Sequence, residues 1–268
     1  MKKEIWLSVY FFENASVTSE SVLPFLFFLI ALFYSSIGFG GGSSYLAILG
    51  LFLTEFHEIR TTALILNITV VSIGTVVFIK QRTFSWKLFW PFLIGSVPMA
   101  YLGAQFKLSE TVFFLLLGSL LIISGVLLFA KFLQSTYNPR KFSQVKKIAI
   151  GGAIGFLAGF SGIGGGIFLS PFLNMMEWRT PRVIASLASV FIFSNSLAGI
   201  AGLYFSNSLS LSSERLLLLI LAVGLGGLLG SFLSVKKLGL KGIGLLTATL
   251  VLYVGVRLLL LHGFDISI

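Results

Sequence analysis

The residues of this 268-residue chain best placed to do chemistry are two glycine clusters. Gly38-Phe39-Gly40-Gly41-Gly42 recurs 124 residues later as Gly162-Ile163-Gly164-Gly165-Gly166. Each glycine costs a helix roughly 1 kcal/mol relative to Ala, and the missing Cβ lets the chain leave helical geometry. A helix restarting at Ser43 or Ile167 would present its first N–H groups and the positive end of its dipole to a ligand, which makes an anion site. Ser43, Ser44 and Ser161 add hydroxyl donors beside the glycines. Asn67 and Asn195 are amides in apolar stretches, where an unpaired amide is costly. They must face the interior, and each reads equally as part of a site or as a hydrogen bond between helices. Ser189 and Ser194 are expected to bond to backbone. The candidate substrate-binding set is Gly40, Gly41, Gly42, Ser43, Ser44, Asn67, Ser161, Gly164, Gly165, Gly166 and Asn195. Close packing through small residues would account for one glycine cluster. Two aligned clusters favour broken helices around a binding site.

The elements that must position these residues are membrane spans. The chain is 56% hydrophobic and 10% charged, against roughly 25% charged in an average soluble domain. Eight apolar segments are long enough, or nearly so, to cross a bilayer: 22–53, 61–79, 88–106, 111–130, 148–176, 183–205, 216–235 and 242–262. The first and fifth are too long for one plain span, and both carry a glycine cluster. Four parts follow: an N-terminal segment 1–21, a first transmembrane repeat 22–130, a cytoplasmic linker 131–147 and a second repeat 148–268. Segment 1–21 does not read as a cleaved signal peptide, because Glu13, Asn14 and Glu20 interrupt its apolar run.

Composition excludes several function classes. With no cysteine, disulfides and thiolate chemistry are out. Two histidines near segment ends make an internal metal cluster unexpected, and no cofactor is called for. No cluster of nucleophile and base is visible, so the chain does not read as an enzyme. The net charge of +10 lies in loops between spans. It reads as the cytoplasmic excess of Lys and Arg rather than as a nucleic-acid surface. The span cores contain no Asp, Glu, Lys, Arg or His; Arg257 approaches, near the end of the last segment, and reads as snorkelling to the interface. Arg60, Arg179 and Arg182 sit where the chain re-enters the membrane and read either as a vestibule for anions or as headgroup anchors.

The halves align beyond the glycines, since Gly42 to Thr62 and Gly166 to Ser186 each span 20 residues. Pro171 in the second half is matched by Ala47 in the first. If all eight segments cross, the halves are parallel and 12 of the 19 Lys and Arg fall on one side. If each glycine segment dips in and returns, three crossings remain per half and the halves are inverted. One side then holds 13 of the 19, among them Lys147, Arg179 and Arg182. The positive-inside rule prefers the inverted arrangement by one charge. The expected fold is an all-α polytopic membrane protein of two homologous four-segment halves, inverted, with broken or re-entrant Gly-rich helices.

With duplicated Gly-x-Gly-Gly-Gly elements in four-segment halves, the chain resembles the TauE/SafE family of membrane transporters, which includes sulfite exporters. The second cluster with Pro171 downstream matches the family pattern, and the first departs from it at Ala47. The resemblance implies movement of a small anion, such as sulfite, a sulfonate or a related organosulfur compound, across the bacterial inner membrane. The expected partners are a small anionic substrate and membrane lipids, with homo-oligomerisation left open and no nucleic acid. The competing function is a membrane-embedded enzyme or an assembly protein without transport activity.

Overall fold

The computed structural model of the protein describes residues 22–36, 38–52, 55–106, 110–133, 141–211, 213–236 and 240–263. Segment 1–21 and the centre of the linker, 134–140, lie outside the described residues. Ten helices and no strand occur among those described. They are α1 (Val22–Ser36), then α2 (Gly42–Phe52), α3 (Phe56–Lys80), α4 (Trp86–Gln105), α5 (Glu110–Leu133), α6 (Gln144–Ser161), α7 (Gly166–Met175), α8 (Pro181–Phe205), α9 (Ser213–Lys236) and α10 (Leu240–Gly263). Eight apolar segments become ten helices because the two glycine segments each break in two. The restarts fall at Gly42 and Gly166, one residue earlier than the sequence suggests.

The breaks have local causes. Gly38 and Gly41 take φ of 82° and 91°, and Gly162, Gly164 and Gly165 take 71°, 81° and 85°. L side chains rarely adopt this left-handed region. Gly162 caps α6 there, its N–H returning to the Ala158 carbonyl at 3.0 Å. Beyond the breaks, α2 and α7 have only 11 and 10 residues. At 1.5 Å per residue each covers about 15 Å, half of a bilayer core of roughly 30 Å. Three described helices are long and apolar enough to cross a membrane: His57–Lys80, Arg182–Phe205 and Leu216–Leu233.

Small residues bring the helices together. A methyl on Gly95 or Gly103 of α4 would meet the Ile148 or Phe156 carbonyl of α6. One on Gly151, Gly155 or Gly159 of α6 would meet Phe92, Ser96 or Ala100 of α4. This four-residue spacing is the small-xxx-small contact of membrane helices, and its register makes α4 and α6 parallel. In the same way Gly226 and Gly230 of α9 abut Phe28 and Leu32 of α1, again in parallel. The two long helices α3 and α8 run antiparallel, with Gly74 facing Ser189, Leu64 facing Gly199 and Thr61 accepting from the Ser210 N–H. Helices α5 and α10 are also antiparallel: Gly118 meets Gly255 and Gly125 meets Leu252. The pairing is reciprocal between halves, α4 on α6 answering α9 on α1.

Trp178, just past the end of α7, is 1% exposed and packs edge-on to Phe92, early in α4, with ring centroids 5.1 Å apart. Arg179 lies over the Trp178 ring. Burial, and after it the charge of Arg179, pulls the Lys147 ammonium below the ordinary lysine value. The start of α6 and the end of α7 are therefore neighbours.

Candidate functional site

Helices α3 and α8 position the site. Arg60, Leu64, Asn67, Val71 and Gly74 recur on one face of α3, and Ala185, Ser189, Ile192 and Ser196 on one face of α8. These two stripes face each other and hold both glycine turns. The Asn67 Nδ2 donates to the Ile163 carbonyl of the second turn at 2.9 Å. The same amide packs against Gly40 and Gly42 of the first turn, where a methyl on either glycine would run into it. Asn67 is fully buried and touches both turns. Its Oδ1 finds no hydrogen-bond partner among the described residues. From the other half, the Ser189 hydroxyl donates to the Gly38 carbonyl at 3.0 Å. Each long helix thus ties the glycine turn of the opposite half.

The first turn is closed by its own neighbours. Tyr34 and Ser44 hydroxyls bond at 2.8 Å, and Tyr45 stacks on Phe27 at 5.0 Å. Gly41 fits against the Tyr45 ring and Ile30, and Ser43 is buried beside them. The second turn has different company. The Ser161 hydroxyl donates within its own helix, to the Leu157 carbonyl at 2.6 Å. Gly164 abuts Ile192 and the Ser196 hydroxyl, Gly165 abuts Ala158 and Phe191, and Gly166 abuts Ile192. Ser196 is fully buried, and its Oγ has no hydrogen-bond partner among the described residues. Neither amide atom of Asn195 has one either, at 1% exposure. Asn195 lies on the neighbouring stripe of α8, with Phe191, which abuts Gly165 of the second turn, and Gly202, which packs on Tyr101 and Ala104 of α4.

Of the sequence-predicted residues, the structure brings Gly40, Gly42, Asn67 and Gly164 into one place, with Gly41, Gly165 and Gly166 in the walls of the same turns. Ser44 and Ser161 are already hydrogen-bonded. The serine reading extends to Ser189, which bonds backbone. Arg60 corrects the expectation of a vestibule or headgroup residue. It is 1% exposed, it donates to the Gly159 carbonyl at 2.9 Å, and its side chain lines Gly162, with Cγ 3.4 Å from where a Cβ would stand. Segment-end position hid it, since an arginine one turn inside a span can snorkel outward or turn inward. Ser196 was missed as well. Its signal is the spacing of seven from Ser189 on one face of a helix.

An open, almost wholly apolar groove of about 760 Å³ runs between α4 and α6, lined by Ile94, Met99, Ile148 and Phe156 among others, and shares no residue with the turns. No group of three His, Asp or Glu placed to hold a metal occurs among the described residues.

Broken apolar helices packed around buried polar groups fit a multi-pass membrane protein, and the comparisons identify it as a transporter. Residues 23–258 match the sulfite exporter TauE/SafE family, and the chain belongs to that family. It is 31% identical over 242 residues to a protein of Sinorhizobium fredii (strain NBRC 101917 / NGR234) named probable membrane transporter protein y4hK. That similarity covers 88% of this chain and 97% of the relative. It is 26% identical over 223 residues to probable membrane transporter protein YunE of Bacillus subtilis (strain 168), covering 75% of this chain and 80% of that one. No solved structure matches the chain.

Proposed function

We propose that the protein moves a small anion, of the sulfite, sulfonate or related organosulfur class, across the inner membrane through a midplane site built from the two glycine turns. The observation that carries this reading is that both turns lie against one amide, Asn67. Helices α2 and α7 start at those turns, so their free N–H groups and dipole ends face the same region, as suits an anion. Irregular backbone at this depth is tolerated where it lines a cavity or is buried in protein. The members of the matched family are described as sulfite exporters, and the two relatives as membrane transporters. The site needs no nucleophile or metal, so the activity is movement rather than reaction.

The halves are inverted in this reading, with 22–53 and 148–176 as re-entrant hairpins. Two antiparallel helix pairs that exchange with one another's halves, α3 with α8 and α5 with α10, support it. So does the proximity of Lys147 and Arg179, which eight full crossings would put on opposite faces. Cysteines placed singly at Lys146, Arg179 and Glu55 are unique reporters in a chain without cysteine. Lys146 and Arg179 label from the cytoplasm and Glu55 from the other side. Labelling of Lys146 and Arg179 from opposite sides would reject the hairpin.

Transport itself is tested by reconstituting the protein in liposomes and measuring flux of sulfite, taurine, sulfate and chloride. Saturable flux of one of the sulfur anions supports the reading. Flux of none above protein-free liposomes contradicts it and favours an enzyme or an assembly protein.

A further inference from the structure

The two turns are built from the same backbone pattern, and a symmetric site would use them equally. Their side chains differ, above all in charge: Arg60 lies against the second turn, and Ile184 stands at the aligned position of the other half. At the first turn Tyr34 pairs with Ser44, Ser189 with the Gly38 carbonyl, and the Asn67 amide covers Gly40 and Gly42, while the Tyr45 hydroxyl beside Gly41 has no hydrogen-bond partner among the described residues. At the second turn Ser196 is fully buried, its Oγ stands 2.8 Å from where a Cβ of Gly164 would be, and it has no hydrogen-bond partner among the described residues. A buried hydroxyl without a partner is costly, so its persistence needs a reason. Within the same turn lies Arg60, buried against Gly162 and reaching the Gly159 carbonyl. The aligned position in the second half is Ile184, so the first turn has no matching cation. Helix α7 begins two residues beyond Gly164, with its dipole favouring negative charge there.

We infer that the anion rests asymmetrically, in a subsite at the second turn formed by the Ser196 hydroxyl, the first N–H groups of α7 and the Arg60 guanidinium, while the first turn serves as a closed wall. The subsite rests on the transport reading above. It takes a small oxyanion with at least two acceptor oxygens, one for the hydroxyl and the amides and one toward Arg60. It does not fit a bulky organic anion, because Ile192 fills the space beside Gly164 and Gly166. Arg60 also donates to the Gly159 carbonyl near the end of α6, so its role must be separated from a purely positioning one.

The test uses the full chain in proteoliposomes with sulfite as the probe, together with melting temperatures in detergent with and without sulfite. Removing a neutral hydroxyl donor to an anion costs roughly tenfold in affinity and removing a charged donor up to about a hundredfold. Ser196→Ala, which leaves no large void, raises the KM for sulfite about tenfold with Vmax little changed. It also removes most of the sulfite-induced rise in melting temperature. Arg60→Gln raises KM by about ten- to a hundredfold, and Arg60→Lys recovers part of the loss. If Arg60→Gln does not fold, Arg60→Lys and Ser196→Ala decide the matter. Unchanged KM in Ser196→Ala with wild-type flux intact would overturn the subsite alone. An Arg60→Gln protein that melts lower by the same amount with and without sulfite, at unchanged KM, would leave only the capping role and also overturn it. Absence of sulfite flux from the wild-type protein would overturn the transport reading and the subsite together.

Discussion

The first and second glycine turns differ less in backbone than in what covers them. Both leave a helix through a left-handed glycine, both restart at the last glycine of the cluster, and both are tied by a polar side chain from the opposite half. The first is packed by Phe27, Tyr34 and Tyr45 and filled by an amide. Each turn has a buried hydroxyl without a partner among the described residues, Tyr45 at the first and Ser196 at the second, and an arginine lies against the second. Both copies keep the break, which glycine supplies at least cost at these φ values. They do not share the lining, which any pair of packed side chains can remake. On the proposed reading, the backbone pattern marks where a site can be, and the lining decides which copy holds the anion.

That comparison can be broken most severely at Gly42. A methyl there runs into the Asn67 amide, which ties the second turn through Ile163. Gly42→Ala is expected to lower anion flux by about a hundredfold or more and to reduce stability by about 1–3 kcal/mol, the cost of an unpaired buried group. On an Asn67→Ala background the added loss of melting temperature shrinks, because the clash is gone. Additive losses in the double variant would show that the two turns do not communicate through Asn67.

Gly162 gives a smaller effect. A Cβ there meets only the Arg60 side chain, at 3.4 Å or more. Gly162→Ala therefore pays only for a left-handed Ala, about 1–2 kcal/mol, visible as a lower melting temperature. A collapse as severe as that of Gly42→Ala would mean that Arg60 cannot yield and that the second turn is the more rigid of the two.

The smallest expected change is at Ser189, whose single bond to the Gly38 carbonyl ties the first turn. Hydrogen bonds between membrane helices average about 0.6 kcal/mol and reach ~1.7 at most. Ser189→Ala should shift melting by an amount in that range. A larger shift would make the first turn depend on this bond as strongly as the second depends on Asn67.

Much of this was legible in the sequence, for physical reasons that can be named. The breaks at 38–42 and 162–166 were legible because three consecutive glycines at mid-span weaken a helix more than the scattered glycines around them. Helix ends fell within a few residues of the apolar segment limits because hydrocarbon thickness fixes span length. Asn67 was legible because an amide inside an uncharged helix must be paired. Its partner was not, since the Ile163 carbonyl lies 96 residues away and only tertiary packing brings it there. Arg60 was hidden for the opposite reason: its long stem permits two destinations, and only the burial of Gly159 and Gly162 against α3 selects the inward one. Ser196 looked like any other serine of α8 until the structure left it without the backbone bond that Ser189 makes.

Both turns lie against Asn67, and the proposed function has them act through that one place. Sulfite flux should therefore be measured in proteoliposomes holding equal amounts of wild-type and Asn67→Ala protein, with insertion and melting checked in parallel. The expected result is saturable wild-type flux that falls at least about tenfold in Asn67→Ala, alongside a stability loss no greater than ~1.7 kcal/mol for the lost interhelical bond. Undiminished flux from an inserted, folded Asn67→Ala protein would contradict a shared site.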